Sequence, residues 1–250
     1  MKLKTLAVSF AVLGVCVASA KLAHADEASL SAEELNIYSP ALTQGERELE
    51  SRAFVTKGHQ QGYAFSVGYT PTSYCAAEAY EVLHRDPGGA LVADVIELES
   101  RFQLSTPGEL WADLGAGVEW EIPQQAGNPG SARLAALLEK QVGRTVVSLN
   151  LPIEWKFGPN YVPGTGLSYG ARAEYLLHPL FSPAVEALGE PGVIGRFAAT
   201  SQQTHTAGPA IYGAAHIAAH QTLRYSVASL FGLTPASPGW TLVTRLELEF

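Results

Sequence analysis

Val147-Ser148-Leu149-Asn150-Leu151-Pro152-Ile153-Glu154-Trp155-Lys156-Phe157 alternates without a break. Its odd-numbered residues are all apolar; its even-numbered residues are Ser, Asn, Pro, Glu and Lys. A helix would scatter the apolar set around its circumference, whereas a strand places it on one face. The pattern recurs in both directions along the chain. Ile96, Leu98, Ser100, Phe102 and Leu104 oppose Glu97, Glu99, Arg101 and Gln103. Ala112, Leu114, Ala116, Val118 and Trp120 oppose Asp113, Gly115, Gly117, Glu119 and Glu121. At the end of the chain, Leu242, Thr244, Leu246, Leu248 and Phe250 oppose Val243, Arg245, Glu247 and Glu249.

From Glu46 onward this period predicts twelve strands, at 46–56, 63–70, 74–84, 90–104, 110–122, 131–141, 144–157, 166–176, 183–188, 207–218, 222–233 and 240–250. Two of them admit a second interpretation. Ala132 to Gln141 is rich in Ala, Leu, Glu and Lys, which favour helix, and Ser182-Pro183 also suits a helix start. Without both, ten strands remain. Connections after odd-numbered strands average about eight residues and the others about four, the asymmetry of outer-membrane barrels with long external loops and short periplasmic turns.

Composition narrows the class. Only 16% of the 250 residues are charged, against about 25% in an average soluble domain. The 24 Gly and 15 Pro argue against an all-helical chain, and a mean hydropathy of +0.08 is too polar for a bundle of membrane helices. Net charge is −8, and Lys2, Lys4 and Lys21 precede every acid, so the remainder is more acidic still. Such a chain is a poor nucleic-acid binder.

Lys2 and Lys4, the apolar run Leu6–Ala20 and the small-residue sites Ala18-Ser19-Ala20 and Ala23-His24-Ala25 follow the order of a secretory signal peptide. Residues 1–25 are therefore expected to be removed, with cleavage after Ala20 or Ala25. Residues 26–45 show no alternation and are expected to form a periplasmic N-terminal segment, with Ser31 and Glu34 able to cap one helical turn. Residues 46–250 make the β domain. Removing the leader leaves Cys75 alone, so an exported chain would have no internal disulfide.

Period-two alternation does not say which face meets water. In a secreted β-sandwich the apolar face is the core; in a membrane barrel it meets lipid. The membrane is favoured because Tyr69, Trp120, Trp155, Phe157, Tyr175 and Phe231 gather near strand ends, as interfacial girdles do. Ala112, Ala116, Ala171 and Ala173 are also too small to fill a packed core. The fold expected is an antiparallel up-and-down transmembrane β-barrel of about twelve strands, whose closure satisfies every backbone group in hydrocarbon.

The last strand carries a resemblance. A terminal Phe closing an alternating strand resembles the signal that Gram-negative outer-membrane barrels present to their assembly machinery, with Leu242, Leu246, Leu248 and Phe250 matching and Arg245 standing where Gly is often found. Phe65-Ser66-Val67-Gly68-Tyr69, Phe102-Gln103-Leu104, Leu138-Glu139-Lys140-Gln141 and Phe231-Gly232-Leu233-Thr234 are similar to segments of small proteobacterial outer-membrane proteins. The resemblance implies an outer-membrane location, with lipids and the barrel-assembly machinery as partners, and implies no chemistry.

Chemical motifs are few. Gly166-Leu167-Ser168-Tyr169-Gly170 fits the G-x-S-x-G elbow, but that chemistry needs the Ser on a strand-to-helix turn, and here the segment opens an alternating strand. The seven His show no metal-ligand spacing: His216 and His220 are four apart but on a predicted strand, and His205 falls in a long predicted loop, Gly189–Thr206, with Arg196, Gln202 and Gln203. No cofactor is expected. The content lies on the charged face. Glu48, Glu50, Arg52, Glu97, Glu99, Arg101, Asp113, Glu119, Glu121, Glu154, Lys156, Arg172, Glu174, Arg224, Arg245, Glu247 and Glu249 are expected to line the lumen, filling it as Glu–Arg ladders or selecting solutes by sign. The function expected is a small non-enzymatic channel with a net-acidic lumen; the alternatives are a sealed structural or adhesive barrel and a secreted β-sandwich binding protein.

Overall fold

The computed structural model describes residues 35–250; the expected leader and the Ser31–Glu34 cap lie outside them. Thirteen strands follow in order: β1 (Arg47–Thr56), β2 (Gln61–Thr72), β3 (Cys75–Arg85), β4 (Val92–Gln103), β5 (Asp113–Pro123), β6 (Gly130–Val142), β7 (Thr145–Phe157), β8 (Thr165–Tyr175), β9 (Ser182–Val193), β10 (Arg196–Phe197), β11 (Thr204–Ala218), β12 (Gln221–Gly232) and β13 (Trp240–Glu249). All but β10 pair antiparallel with both neighbours. β1 pairs with β13 and β8 with β9, so the sheet closes into a twelve-stranded barrel, with the two-residue β10 folded back on β9. A closed single sheet rules out the β-sandwich alternative. The period-two faces survive: Leu49, Val67, Leu98, Val118, Leu151 and Leu246 point outward and exposed, while Glu48, Glu50, Glu97, Glu99 and Glu247 are buried inside. The six expected girdle aromatics all stand exposed on the outer wall.

Both doubtful segments are strands. β6 covers Ala132–Gln141 because its backbone is paired along its length with β5 and β7, and tertiary pairing overrides a helix propensity worth only tenths of a kcal/mol per residue. β9 starts at Ser182 and runs to Val193, well past the expected end at 188. The expected long loop Gly189–Thr206 is thereby corrected to 194–203, which itself holds β10 and a 3-10 turn at Thr200–Gln202. Gly189-Glu190-Pro191-Gly192 suggests a loop by composition, yet Gly189 is paired with both Tyr169 and His205. A Cβ on Gly189 would fall 2.4 Å from His205 Nδ1, so the glycine serves close approach within the sheet.

His205 thus belongs to β11. Its Nδ1 lies 3.0 Å from the Tyr169 hydroxyl and its Nε2 2.7 Å from Gln203 Oε1. Ala112 is likewise not on the lipid wall. It is buried at the end of the 104–112 connection, just before β5 begins. Tight turns at 73–74, 143–144 and 219–220 close one end of the barrel, where β1 begins and β13 ends. The longer connections 86–91, 124–129, 158–164, 194–203 and 233–239 lie at the other end. The 104–112 and 176–181 connections are the exceptions, longer segments at the short-turn end.

Candidate functional site

The lumen holds three groups of ion pairs, each positioned by strand register. In the first, β1 and β13 set Glu50 opposite Glu247 and Arg52 opposite Arg245. Glu50 takes Arg52 at 2.6 Å and Arg245 at 2.6 Å, and Arg245 also reaches Glu247 at 2.6 Å. Arg101 on β4 meets Glu48 at 3.3 Å, Glu99 at 3.6 Å and Glu78, whose carboxylate also accepts the Tyr80 hydroxyl. The second group, on β5–β7, centres on Arg133, with Glu119 at 2.6 Å, Glu121 at 3.0 Å and Glu154 at 3.3 Å; Lys156 lies 3.6 Å from Glu154. The third centres on Arg172, with Glu139 at 3.7 Å and Glu174 at 3.8 Å, its guanidinium over the Tyr212 ring. The Tyr212 hydroxyl donates to Glu186. Arg224 pairs with Glu249 and lies 4.0 Å from Glu247 at the short-turn end. Just outside β1, burial and then the Glu249 charge push the Glu46 carboxyl up.

Sequence reasoning missed Glu78, Tyr80, Arg133, Glu139 and Glu186. Arg133 and Glu139 lie in the segment with helical composition, Glu186 in the one whose Ser182-Pro183 also suits a helix start, and Glu78 and Tyr80 on a strand whose faces differ little in polarity. The signal that finds Arg133 is its register, opposite Glu119 on one side and Glu154 on the other. Asp113 turns instead to the 104–112 connection, where it accepts from Gly108 N at 2.6 Å. Ser168 stands within β8, at the register shift between Leu167 and Tyr169 against β9, and not at a strand-to-helix turn. Among the described residues, Glu97, Glu99 and Glu119 form one group with carboxylate oxygens within 4.8 Å of one another, the geometry in which a cation would be shared.

Two features of the interior depart from a uniformly charged lining. One arc, from β1 to β3 and β9 to β13, is filled by apolar side chains: Phe54, Val82, Leu188, Leu230 and Val243 are buried there. The other feature is the N-terminal segment. Residues 35–44 do not hang below the barrel, as the periplasmic assignment of 26–45 expected, but enter the lumen. Asn150 on β7 holds them by the backbone, with Tyr38 N donating to its Oδ1 at 2.6 Å and its Nδ2 donating to Tyr38 O at 3.0 Å. The Tyr38 hydroxyl donates to Glu99 at 2.7 Å, with Arg101 over its ring. Ser39 donates to Glu139, Gln103 accepts from Leu42 N, and Arg245 donates to Asn36. These partners lie on β4, β6, β7 and β13, so the strap is held from several sides. Burial of Leu35, Ile37 and Pro40 supplies the reason to enter: these side chains leave water against the inner wall.

The strap divides the space. Toward the short-turn end lies a cavity of ≈ 460 Å³ bounded by Glu46, Glu48, Arg224, Glu247 and Glu249; a smaller pocket of ≈ 50 Å³ lies beside Asn36, Glu119, Arg133 and Ser168.

No family model and no curated protein matches the sequence. Solved structures match the fold. The KdgM porin aligns with a TM-score of 0.55 at 8% identity, over 81% of this chain and 98% of that one; it has also been solved in complex with disordered oligogalacturonate. The NanC porin gives a TM-score of 0.56 at 10% identity, over 81% and 98%. An outer membrane channel from Pseudomonas putida F1 gives 0.55 at 16%, over 84% and 97%. The fold is therefore that of outer-membrane porin barrels.

Proposed function

We propose that this chain is a non-enzymatic solute channel of the outer membrane, reached after removal of residues 1–25, whose lumen prefers cations. One observation carries the sign: across the ion pairs of the lumen as a whole, carboxylates outnumber guanidinium groups, although Glu50 is shared by Arg52 and Arg245. Arg101 and Arg133 are each shared by three Glu, and Arg172, Arg224 and Arg245 by two. Pairing neutralises part of this charge, and the remainder sets a negative potential over the cavity at the short-turn end. Oligogalacturonate, the anionic ligand bound by KdgM, would meet like charge in this lumen.

Reversal potentials across a planar bilayer in a KCl gradient test the assignment. Cation preference is expected, reduced in Glu247→Gln/Glu249→Gln. Anion preference in the wild type would refute it. The second reading, a sealed structural barrel, is favoured by the small pocket beside Asn36, and a folded barrel that passes no current in any form would establish it.

A further inference from the structure

The strap and the wall it lies on are fitted to each other. Gly115 and Gly170 face inward from β5 and β8; a Cβ on Gly115 would fall 2.7 Å from Pro40 Cβ, and one on Gly170 3.0 Å from Ile37 Cγ1. Gly117 and Gly166 share the same inner face, where a Cβ would meet nothing closer than 3.5 Å. On β5 and β8 these four glycines leave the inner wall without side chains, and the strap packs against it at Gly115 and Gly170.

The way the strap is held differs from the way the barrel is held. Its hydrogen bonds to the wall run through side chains, those of Asn150, Tyr80, Glu99, Glu139, Gln103 and Arg245, so it has no ladder to unzip. Backbone bonding to the barrel begins only at Gly45, whose N–H donates to Thr70 O. At that point a turn closed by Glu46 N on Thr43 O, with Gly45 at φ +88°, redirects the chain into β1. Asn36 Nδ2 is buried in the seat without a hydrogen-bond partner, so part of the seat opposes residence.

We propose that residues 35–42 are a gate: they swing about the 43–46 turn, and their withdrawal opens a path past the inward glycines of β5 and β8. This rests on the channel reading. Withdrawal also removes the Tyr38 hydroxyl from Glu99, so the opened path passes Glu97, Glu99 and Glu119, and gate and charge filter share one position.

A reversible crosslink tests it. Ile37→Cys with Gly170→Cys, in a chain with Cys75→Ser, pairs two positions in side-chain contact, a Cβ on Gly170 falling 3.0 Å from Ile37 Cγ1. Conductance in planar bilayers is recorded oxidised and after dithiothreitol, with the bond confirmed by mass and barrel closure by heat-modifiable mobility. At least a tenfold loss of conductance on oxidation, restored by reductant, is the expected result. Equal conductance in the two states overturns the gate and leaves the channel standing. As a second variant, a barrel lacking 35–42 is expected to conduct more than the intact protein. If that barrel is folded yet silent, the wall itself closes the lumen, and gate and channel both fall.

Discussion

Leu151→Arg tests the whole assignment of faces. Leu151 is the central residue of β7 (Thr145–Phe157), six residues from either end, and its side chain points outward. At about 3.3 Å per residue and a tilt near 40°, it sits about 15 Å from each strand end along the membrane normal. The apolar band of an outer-membrane barrel is about 25 Å tall, so Leu151 lies at its middle. A charged Arg at that depth costs about 2–4 kcal/mol, which lowers the folding equilibrium constant by about 30- to 1,000-fold. Val142→Arg is the control. It lies on the same outer face, at the last residue of β6 and 65% exposed, where the cost falls to about 0–1 kcal/mol. Urea titrations of folding into phospholipid vesicles, scored by the heat-modifiable gel band, compare the two. Equal costs at both positions would refute the outward face and the depth together. Asn150→Arg, the adjacent inward change, is not a neutral comparison, because Asn150 carries the strap.

Three further outcomes follow from packing and charge. Glu50→Gln removes the carboxylate clamped between Arg52 and Arg245, leaving the buried Arg52 guanidinium without it and Arg245 with Glu247; the expected loss is about 3–5 kcal/mol, measured as a lower midpoint in the same titration. Gly208→Ala puts a Cβ 1.8 Å from the Ser229 carbonyl oxygen, a clash with backbone that overpacks the β11–β12 pair and costs about 1–3 kcal/mol, whereas Gly143→Ala meets nothing within 4 Å and bears only the strain of φ +61°. Ser168→Ala is expected to leave folding unchanged, and phospholipid turnover by wild type that this variant abolishes would overturn the non-enzymatic reading.

Strand positions, outward and inward faces, and the closing character of β13 were legible in the sequence. The β pleat is a local device, and each side chain's face follows from the parity of its position. That is why Leu246 and Leu248 could be assigned to lipid, and Glu247 and Glu249 to the lumen, from alternation alone. Where the local signal conflicted, it failed. Ala132–Gln141 carries a helical composition, and only pairing with β5 and β7 makes it a strand and turns Arg133 toward three carboxylates. Gly189–Gly192 has a loop composition, yet neighbours on both sides hold it in the sheet. The strap was beyond any periodicity. Tyr38 binds Glu99 and Asn150, 61 and 112 residues away, through isolated side-chain contacts that leave no repeat behind. A barrel brings those residues together only when its first and last strands meet, so the wall was written in alternation, and what occupies the lumen was decided by closure.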